Sequence, residues 1–272
     1  MKNKLPIILI VASMLVMCIA VRNAIVSGSP PLSTVIGADY RQYFQPATSE
    51  ILRGHSPYTV NGFYNPAWGL LPLLPLTKLP LSLSIPIMFV LNLSAYTYVA
   101  WRTGMNRFII IPFLIFSGAM LNSTIGNIDG LLSLGFLFSS WLGILIVMVK
   151  PQIGIPIAIF LVATILLDHG ALKTKALKLA RLLTPFVFAL IFSTMLYGTW
   201  FFQSTGAVGQ QWNSAPWPRA IPVGVFLLWQ AVQKKDIRWA MGAIPFITPY
   251  LTPDTWALST MGFLAILSTR SR

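Results

Sequence analysis

The sequence has very little charge, and least of all acidic charge. Only 9% of its 272 residues are charged, and only 6 of them are Asp or Glu. An ordinary soluble domain carries about 25% charged residues. A chain of this length cannot cover a water-facing surface with so few charges, so the composition excludes a typical soluble globular protein.

Cysteine is almost absent too. The single cysteine, Cys18, lies inside the first apolar run, so no disulfide framework can form within the chain. Glycine-rich phosphate loops and Rossmann patterns are missing, so nothing indicates a nucleotide cofactor. Asp168 and His169 are adjacent, but a metal site needs more ligands than these two. We therefore expect no cofactor, and a divalent metal is not predicted.

Long apolar runs take the place of charge. The sequence is 56% hydrophobic, with a mean hydropathy of +0.73. Continuous runs predict membrane-spanning helices, whereas the strands of a membrane barrel alternate in polarity. The expected fold is an all-α polytopic transmembrane bundle of about 8–10 spans. It would form one integral membrane domain over residues 1–272, in a bacterial plasma membrane.

The apolar runs give approximate bounds for these spans. The first run, Leu5–Val26, is expected to be an uncleaved anchor because no small-residue cleavage site follows it. The further spans are expected at Leu81–Trp101, Phe108–Leu121, Gln152–Leu167, Leu182–Tyr197, Ala220–Val232, Ile237–Tyr250 and Thr255–Leu267.

The basic residues point to lipid rather than to nucleic acid. The formal net charge is +13, but the Lys and Arg residues cluster in what we expect to be short loops between apolar runs, such as Lys173–Arg181. This distribution is typical of the positive-inside rule of membrane proteins. Anionic lipid headgroups are the expected partners of these loops, and no nucleic acid is expected.

Residues 27–80 form the expected first outer loop. The pattern from Tyr40 to Arg53 is amphipathic, which predicts a short helix in the membrane interface. The apolar stretch Asn65–Pro80 is too short for a span, so we expect a second interfacial or re-entrant helix with Pro66 in its first turn.

The segment Gly130–Val149 allows two interpretations. It could cross the membrane once, if Asn65–Pro80 also crosses. Alternatively, it could form two half-helices that meet near Ser139–Ser140. Both solutions place the Lys173–Arg181 cluster inside, and both place Asp39 and Lys150 on the same, outer side.

Two ionisable residues stand out as candidates for chemistry. Asp39 follows the first helix and could be a general base at the interface; the alternative is a helix cap or a charge paired with Arg41. Lys150 interrupts an apolar run, and an intramembrane ionisable residue is a functional candidate by default. A helix-end lysine that reaches back to the interface is the alternative for Lys150.

Other polar residues have simpler alternatives. Asp129 with Asn127 could bind sugar hydroxyls or line a cavity, but Asp129 could equally cap a helix that begins at Gly130. His55 could orient a phosphate or a hydroxyl, although a plain turn residue explains it better. Glu50 and Arg53 are expected to form an exposed ion pair, and Asp254 is expected to cap the last helix.

Four segments in order carry a family resemblance, and the first of them, in the outer loop, contains three short motifs. "GADYRQYF" (37–44) is followed by "GHSPY" (54–58) and "YNP" (64–66), then by "GNIDGLLSLG" (126–135), "VKPQIGIPI" (149–157) and "TPYLTPDTWAL" (248–258). This order resembles the membrane glycosyltransferases of the GT-C type, and most closely glycosyltransferase family 87, which uses polyprenol-phosphate-mannose. The match spans roughly residues 37–258, but the chain is shorter than is usual for the family.

The resemblance implies transfer of a mannose-like hexose at the outer membrane face. The donor would be a polyprenyl-phosphate-linked sugar, the acceptor a lipid or glycan, and Asp39 the general base. Lys150, Arg41 and Arg219 would bind the donor phosphate. The residues expected to contact substrate or line the cavity are Asp129, Asn127, His55, Tyr43, Tyr64 and Gln152. A lipid or solute transporter or flippase is the alternative of a different class, and an assembly subunit is a third.

Overall fold

The computed structural model describes residues 35–199 and 213–269. All regular structure in these two ranges is helical, and neither contains a strand, so the predicted all-α class is confirmed for the described part of the chain. The expected anchor Leu5–Val26, with Cys18, lies outside these residues.

The first described segment is the predicted amphipathic helix. A π-helical turn, Tyr40–Phe44, runs directly into α1 (Gln45–Leu52). Its inner face buries Tyr40, Phe44 and Ala47, while Leu52 stays exposed. The amphipathic pattern from Tyr40 to Arg53 therefore predicted the position of this helix.

The Asn65–Pro80 stretch is helical but mostly not α-helical. A 3₁₀ helix, Ala67–Leu73, leads into the short α2 (Leu74–Thr77). Pro72 lies inside the 3₁₀ helix, where a missing N–H and the bulk of the proline ring disfavour α-helical bonding. Pro66 precedes the first helical residue instead of standing in the first turn, which corrects that detail of the prediction.

Two described helices are long and apolar enough to cross a membrane. They are α3 (Leu81–Arg102) and α9 (Leu172–Tyr197), with 22 and 26 residues. A third span results if α4 (Arg107–Phe116) and α5 (Ala119–Ile125) are counted together, but these two helices meet at 54°. Gly118 lies at the break with φ 94°, a conformation that glycine adopts without strain. The predicted span Phe108–Leu121 is therefore bent.

The remaining expected spans exist as helices, but they are shorter than the roughly 20 residues that a crossing needs. They are α8 (Pro151–Leu166), α10 (Ile221–Lys234), α11 (Ile237–Ile247) and α12 (Trp256–Thr269), with 16, 14, 11 and 14 residues. Among the described residues, the structure thus supports two or three spans by length and composition.

The basic cluster Lys173–Arg181 is not a loop, which corrects the prediction. It forms the first half of α9, because Lys and Arg are good helix formers and no glycine interrupts the run. Lys175 donates to the carbonyl of Leu166 at 2.7 Å, and Lys178 pairs with Asp168 at 3.0 Å. These exposed contacts connect the start of α9 with the end of α8.

The core lies around α11. Its residues from Trp239 to Phe246 are all buried, and it packs against α8, α10 and α12. In contrast, α9 buries only Leu182 and Ser193 and exposes a stacked pair, Phe188 and Phe192. A helix this apolar and this exposed is expected to face lipid.

Candidate functional site

The segment after α5 folds back on itself. It consists of α6 (Asp129–Ser133), a 3₁₀ turn (Leu134–Leu137), a break at 138–140, and α7 (Trp141–Val147). A Cβ on Gly143 would collide with the carbonyl oxygen of Phe138, so only glycine lets the two arms approach so closely. The break lies where two half-helices would meet, and we call residues 129–150 the hairpin.

The mouth of the hairpin is closed by a buried ion pair. Lys150 Nζ lies 2.5 Å from Asp129 Oδ1 and 2.6 Å from Asn127 Oδ1. Lys150 is only 7% exposed and Asp129 is fully buried. Asp129 begins the hairpin and Lys150 ends it, so this contact brings the two ends of the hairpin together.

The structure therefore corrects two simpler interpretations. Lys150 does stand at a helix end, directly before α8, but its ammonium is enclosed by protein and does not extend to an exposed surface. Asp129 is not a helix cap: the cap position belongs to Ile128, and the carboxylate binds Lys150 instead of backbone N–H groups.

The last helix supplies the second side of this cluster. Thr255 donates to Asp129 Oδ2 at 2.6 Å, and Asp254 Oδ2 accepts from Asn122 at 2.5 Å and from Asn127 at 3.4 Å. Asp254 lies in the first turn of a 3₁₀ helix, Pro253–Thr255, but its carboxylate binds these two side-chain amides of another part of the chain. The expectation that it merely caps the last helix is wrong. We call Asn127, Asp129, Lys150, Asp254 and Thr255 the polar cluster.

Asn92 of α3 holds the hairpin against the long span. Its Nδ2 donates to the carbonyl of Asn127 at 2.6 Å, and its Oδ1 accepts from the N–H of Leu131 at 3.2 Å. Gly130 allows this contact, because a Cβ there would overlap the Asn92 backbone and side chain. Asn92 is fully buried, so its hydrogen bonds form without competition from water.

Asp39 stands beside the polar cluster. The N–H of Gly37 donates to the carbonyl of Thr124 at 2.7 Å, which fixes the start of the π-helical turn against α5. The Asp39 carboxylate is half-buried and accepts no hydrogen bond from any described residue. It is thus the acidic group of the site that remains available.

The surroundings raise the pKa of Asp39 to about 7, mainly through burial. The charge of Asp254 raises it further, Lys150 lowers it, and Asp129 has a smaller raising effect. Burial, followed by the charge of Asp129, also raises the pKa of Asp254. Asp39, Asp129 and Asp254 share one lysine here, so repulsion between the acids favours a protonated Asp39 near neutral pH.

Tyrosines complete the surroundings of Asp39. Tyr43 and Tyr250 interact electrostatically with Asp39, and Tyr64 interacts with both tyrosines. Tyr43 also packs on Gly62, where a side chain would strike its ring. The carboxylate can accept a proton, and the tyrosine hydroxyls can form hydrogen bonds with a polyol.

The structure brings together six of the predicted site residues: Asp39, Lys150, Asp129, Asn127, Tyr43 and Tyr64. His55 is not among them, because its ring lies 2.9 Å from Glu50 on an exposed surface. Arg219 is exposed in the turn before α10 and is not among the described residues that bind the polar cluster. Gln152 is half-buried in the first turn of α8, and Arg41 lies in the π-helical turn.

Several residues of the site were missed in the sequence. Asn92 and Asn122 are polar residues inside apolar helices, and that rarity was the available signal. Asp254 was noticed but interpreted as a cap. Tyr250 had no local signal, since a tyrosine at a helix end is common at membrane interfaces.

Within residues 35–199 and 213–269, no group of three or more His, Cys, Asp or Glu side chains is placed to hold a metal ion. A cavity of about 550 Å³ lies along the C-terminal half of α3 and shares no residue with the polar cluster. No family model, characterised protein or solved structure matches the chain.

Proposed function

We propose that the protein is a membrane glycosyltransferase that moves a mannose-like hexose from a polyprenyl-phosphate-linked donor to a lipid or glycan acceptor. The observation that carries this proposal is the Asp39 carboxyl: half-buried, without a hydrogen-bond donor among the described residues, and next to a buried Lys–Asp pair. The order of the four sequence segments supports it, since Asp39, Asp129, Lys150 and Asp254 each lie in one of them.

In the proposed reaction, Asp39 removes the proton of the acceptor hydroxyl as its oxygen attacks the anomeric carbon. The bond from that carbon to the phosphate oxygen breaks, and polyprenyl phosphate leaves with the bonding electrons. A general base works best when its pKa is near the working pH, and a value of about 7 meets that condition. The reaction would take place at the outer membrane face, where both topologies expected from the sequence put Asp39.

The phosphate site needs a cation with free hydrogens. The ammonium of Lys150 has three, and two of them point to Asp129 and Asn127, so at most one remains for a phosphate oxygen. In this proposal Lys150 mainly fixes the hairpin and offsets the local acids. Arg41, two residues after Asp39 on the π-helical turn, is a further phosphate candidate, because guanidinium groups can bind phosphate in a bidentate way.

The test is transfer by purified protein in lipid nanodiscs. Radiolabelled polyprenyl-phosphate-mannose and membrane lipid acceptors would be supplied, and product would be counted after lipid extraction. Asp39→Asn should reduce transfer by roughly 10²- to 10⁴-fold, the usual contribution of a general base. Asp168→Asn is the matched control, because it removes an exposed carboxylate paired with Lys178, and it should transfer normally. Equal transfer by Asp39→Asn and the wild type would remove Asp39 from the mechanism.

One observation favours a second candidate, an ion-coupled transporter. Short interrupted helices that meet at buried charges are typical of transporter binding sites, and the hairpin with its Lys150–Asp129 pair has this form. Movement of a sugar-phosphate lipid across liposomes, with no covalent product, would favour this candidate over the transferase.

A further inference from the structure

A groove lies between α3 and α4 and runs from the middle of α3 to its C-terminal end. Its volume is about 550 Å³, and its floor is mostly apolar: Val90, Leu93, Ser94, Thr97, Trp101 and Ile110. The α3 residues recur every three or four positions, so they form one stripe along the helix. From Val90 to Trp101 this stripe is about 16 Å long, at about 1.5 Å per residue. We call it the α3–α4 groove.

The two ends of this floor are exposed although they are apolar. Val90 is 57% exposed and Trp101 is 58% exposed. The helix that forms the floor is also one of the two described helices long enough to cross a membrane. An exposed apolar groove on such a helix requires an apolar cover, and the bilayer offers acyl chains.

The groove ends in positive charge. Arg102 donates to the Tyr98 hydroxyl at 3.4 Å and lies over the same ring, while Arg107 lies over Phe108. Neither arginine has a carboxylate within ion-pair distance in the described parts of the chain. The neighbouring Arg238 is already paired with Asp236 at 2.7 Å. Two guanidinium groups beside aromatic rings are therefore available to an anionic headgroup at the Trp101 end of the groove.

We propose that the α3–α4 groove binds an anionic phospholipid, with one acyl chain along the α3 stripe and the phosphate on Arg102 and Arg107. The site is separate from the proposed catalysis. Gly37, two residues before Asp39, packs against Ile85 near the start of α3, whereas Arg102 ends that helix. The distance between Ile85 and Trp101 along the helix is about 24 Å, so this lipid would lie in the opposite leaflet.

Native mass spectrometry of the purified full chain tests the site. The detergent-solubilised protein would be titrated with phosphatidylglycerol and, separately, with phosphatidylethanolamine. The wild type should retain phosphatidylglycerol in preference. Arg102→Gln/Arg107→Gln should weaken its binding by about thirtyfold, since each basic residue near an anionic headgroup contributes about 1 kcal/mol. The control Arg53→Gln/Lys78→Gln removes the same charge from exposed positions of the first outer loop, outside the basic clusters, and should bind normally.

A second variant tests the apolar part of the groove. Ser94→Phe places a ring on the floor without removing charge or a buried hydrogen bond, so it should reduce retention of both lipids. Equal binding of the two lipids to the wild type, or unchanged binding to Ser94→Phe, would overturn the proposal. A disulfide between two copies through Ser94→Cys, in a chain whose Cys18 is replaced by Ser, would also overturn it, because a second copy would then fill the groove.

Discussion

Two ion pairs in this protein use the same chemical groups in opposite surroundings. Lys150 and Asp129 have side chains that are 8% and 0% exposed, and their charged atoms lie 2.5 Å apart. Arg53 and Glu50 lie 2.9 Å apart, but the arginine side chain is 67% exposed. The first pair joins the two ends of the hairpin, whereas the second joins adjacent turns of the same short segment.

The comparison shows that burial decides whether an ion pair determines structure. Water can replace either partner of the exposed pair, so its loss changes little. No water reaches Asp129, so the loss of Lys150 would leave a buried carboxylate with only Thr255 as a donor. The pKa of Glu50 is nevertheless lowered, mainly by the hydrogen bond with His55 and to a smaller extent by the charge of Arg53. A lowered pKa at this exposed position does not mean that the pair stabilises the fold.

The largest effect is expected from Lys150→Met. Methionine keeps the length of the side chain but removes the charge, so the variant should lose about 3–5 kcal/mol of unfolding free energy. The measurement is denaturant unfolding in mixed micelles. Lys178→Met is the matched control, because it breaks the exposed pair with Asp168 and should leave the unfolding midpoint in place.

A double variant distinguishes a lost interaction from an unpaired charge. Lys150→Met/Asp129→Asn removes both charges and should be more stable than Lys150→Met alone. A double variant as unstable as the sum of the two single variants would mean that Lys150 and Asp129 do not act as a pair.

The next effect should come from the hairpin itself. Gly143→Ala places a methyl group against the Phe138 carbonyl, so the arms must separate, at a cost of about 1–3 kcal/mol. Gly170→Ala is the control, since a Cβ there meets no atom within 4 Å. Equal melting temperatures of the two variants would show that the tight turn does not support the ion pair at its mouth.

Local patterns predicted much of the helical structure. The start of α3 at Leu81 matches its predicted residue, and α11 begins at the predicted Ile237. Pro80 and Asp236 stand immediately before these helices, and both residue types are typical of helix starts. The number of spans was harder to predict, because apolar runs in α8, α10 and α12 look like spans although the helices are too short.

The site was predictable only in part, because its contacts are remote in sequence. Lys150 and Asp129 are separated by 21 positions, Thr255 and Asp129 by 126, and Asn122 and Asp254 by 132. A rare charge in an apolar run marked Lys150 as a candidate but could not identify its partner. At Asp254 the local sequence predicts only a helix cap, because a cap is the usual explanation of an acid at a helix start.

The burial of Asp39 is intermediate between those of the two ion pairs, and the pH dependence of stability can measure its effect. Its pKa is raised from 3.8 to about 7, so between these values the folded protein binds more protons than the unfolded chain. Stability must then fall as pH rises through this window. Asp39→Asn lacks the effect, so its melting temperature should rise relative to the wild type between about pH 4 and pH 7.

Asp254→Asn provides the control for this pH dependence. It removes the second-largest cause of the raised pKa of Asp39, while the largest cause, burial, remains. The variant should therefore show a smaller fall in stability with pH, shifted toward lower pH. A fall of unchanged size and position would mean that Asp39 and Asp254 do not interact.

The smallest effect is expected at the exposed pair, where Arg53→Ala should leave the melting temperature of the wild type unchanged. Glu50 keeps the hydrogen bond to His55 at 2.9 Å, and water solvates the rest of its carboxylate. His55→Ala should be equally neutral for stability, and in the transfer assay as well, because His55 lies outside the polar cluster. If Arg53→Ala instead destabilised the protein as much as Lys150→Met, burial would not be the property that separates the two ion pairs. The hairpin would then need another explanation for the way its ends are held together.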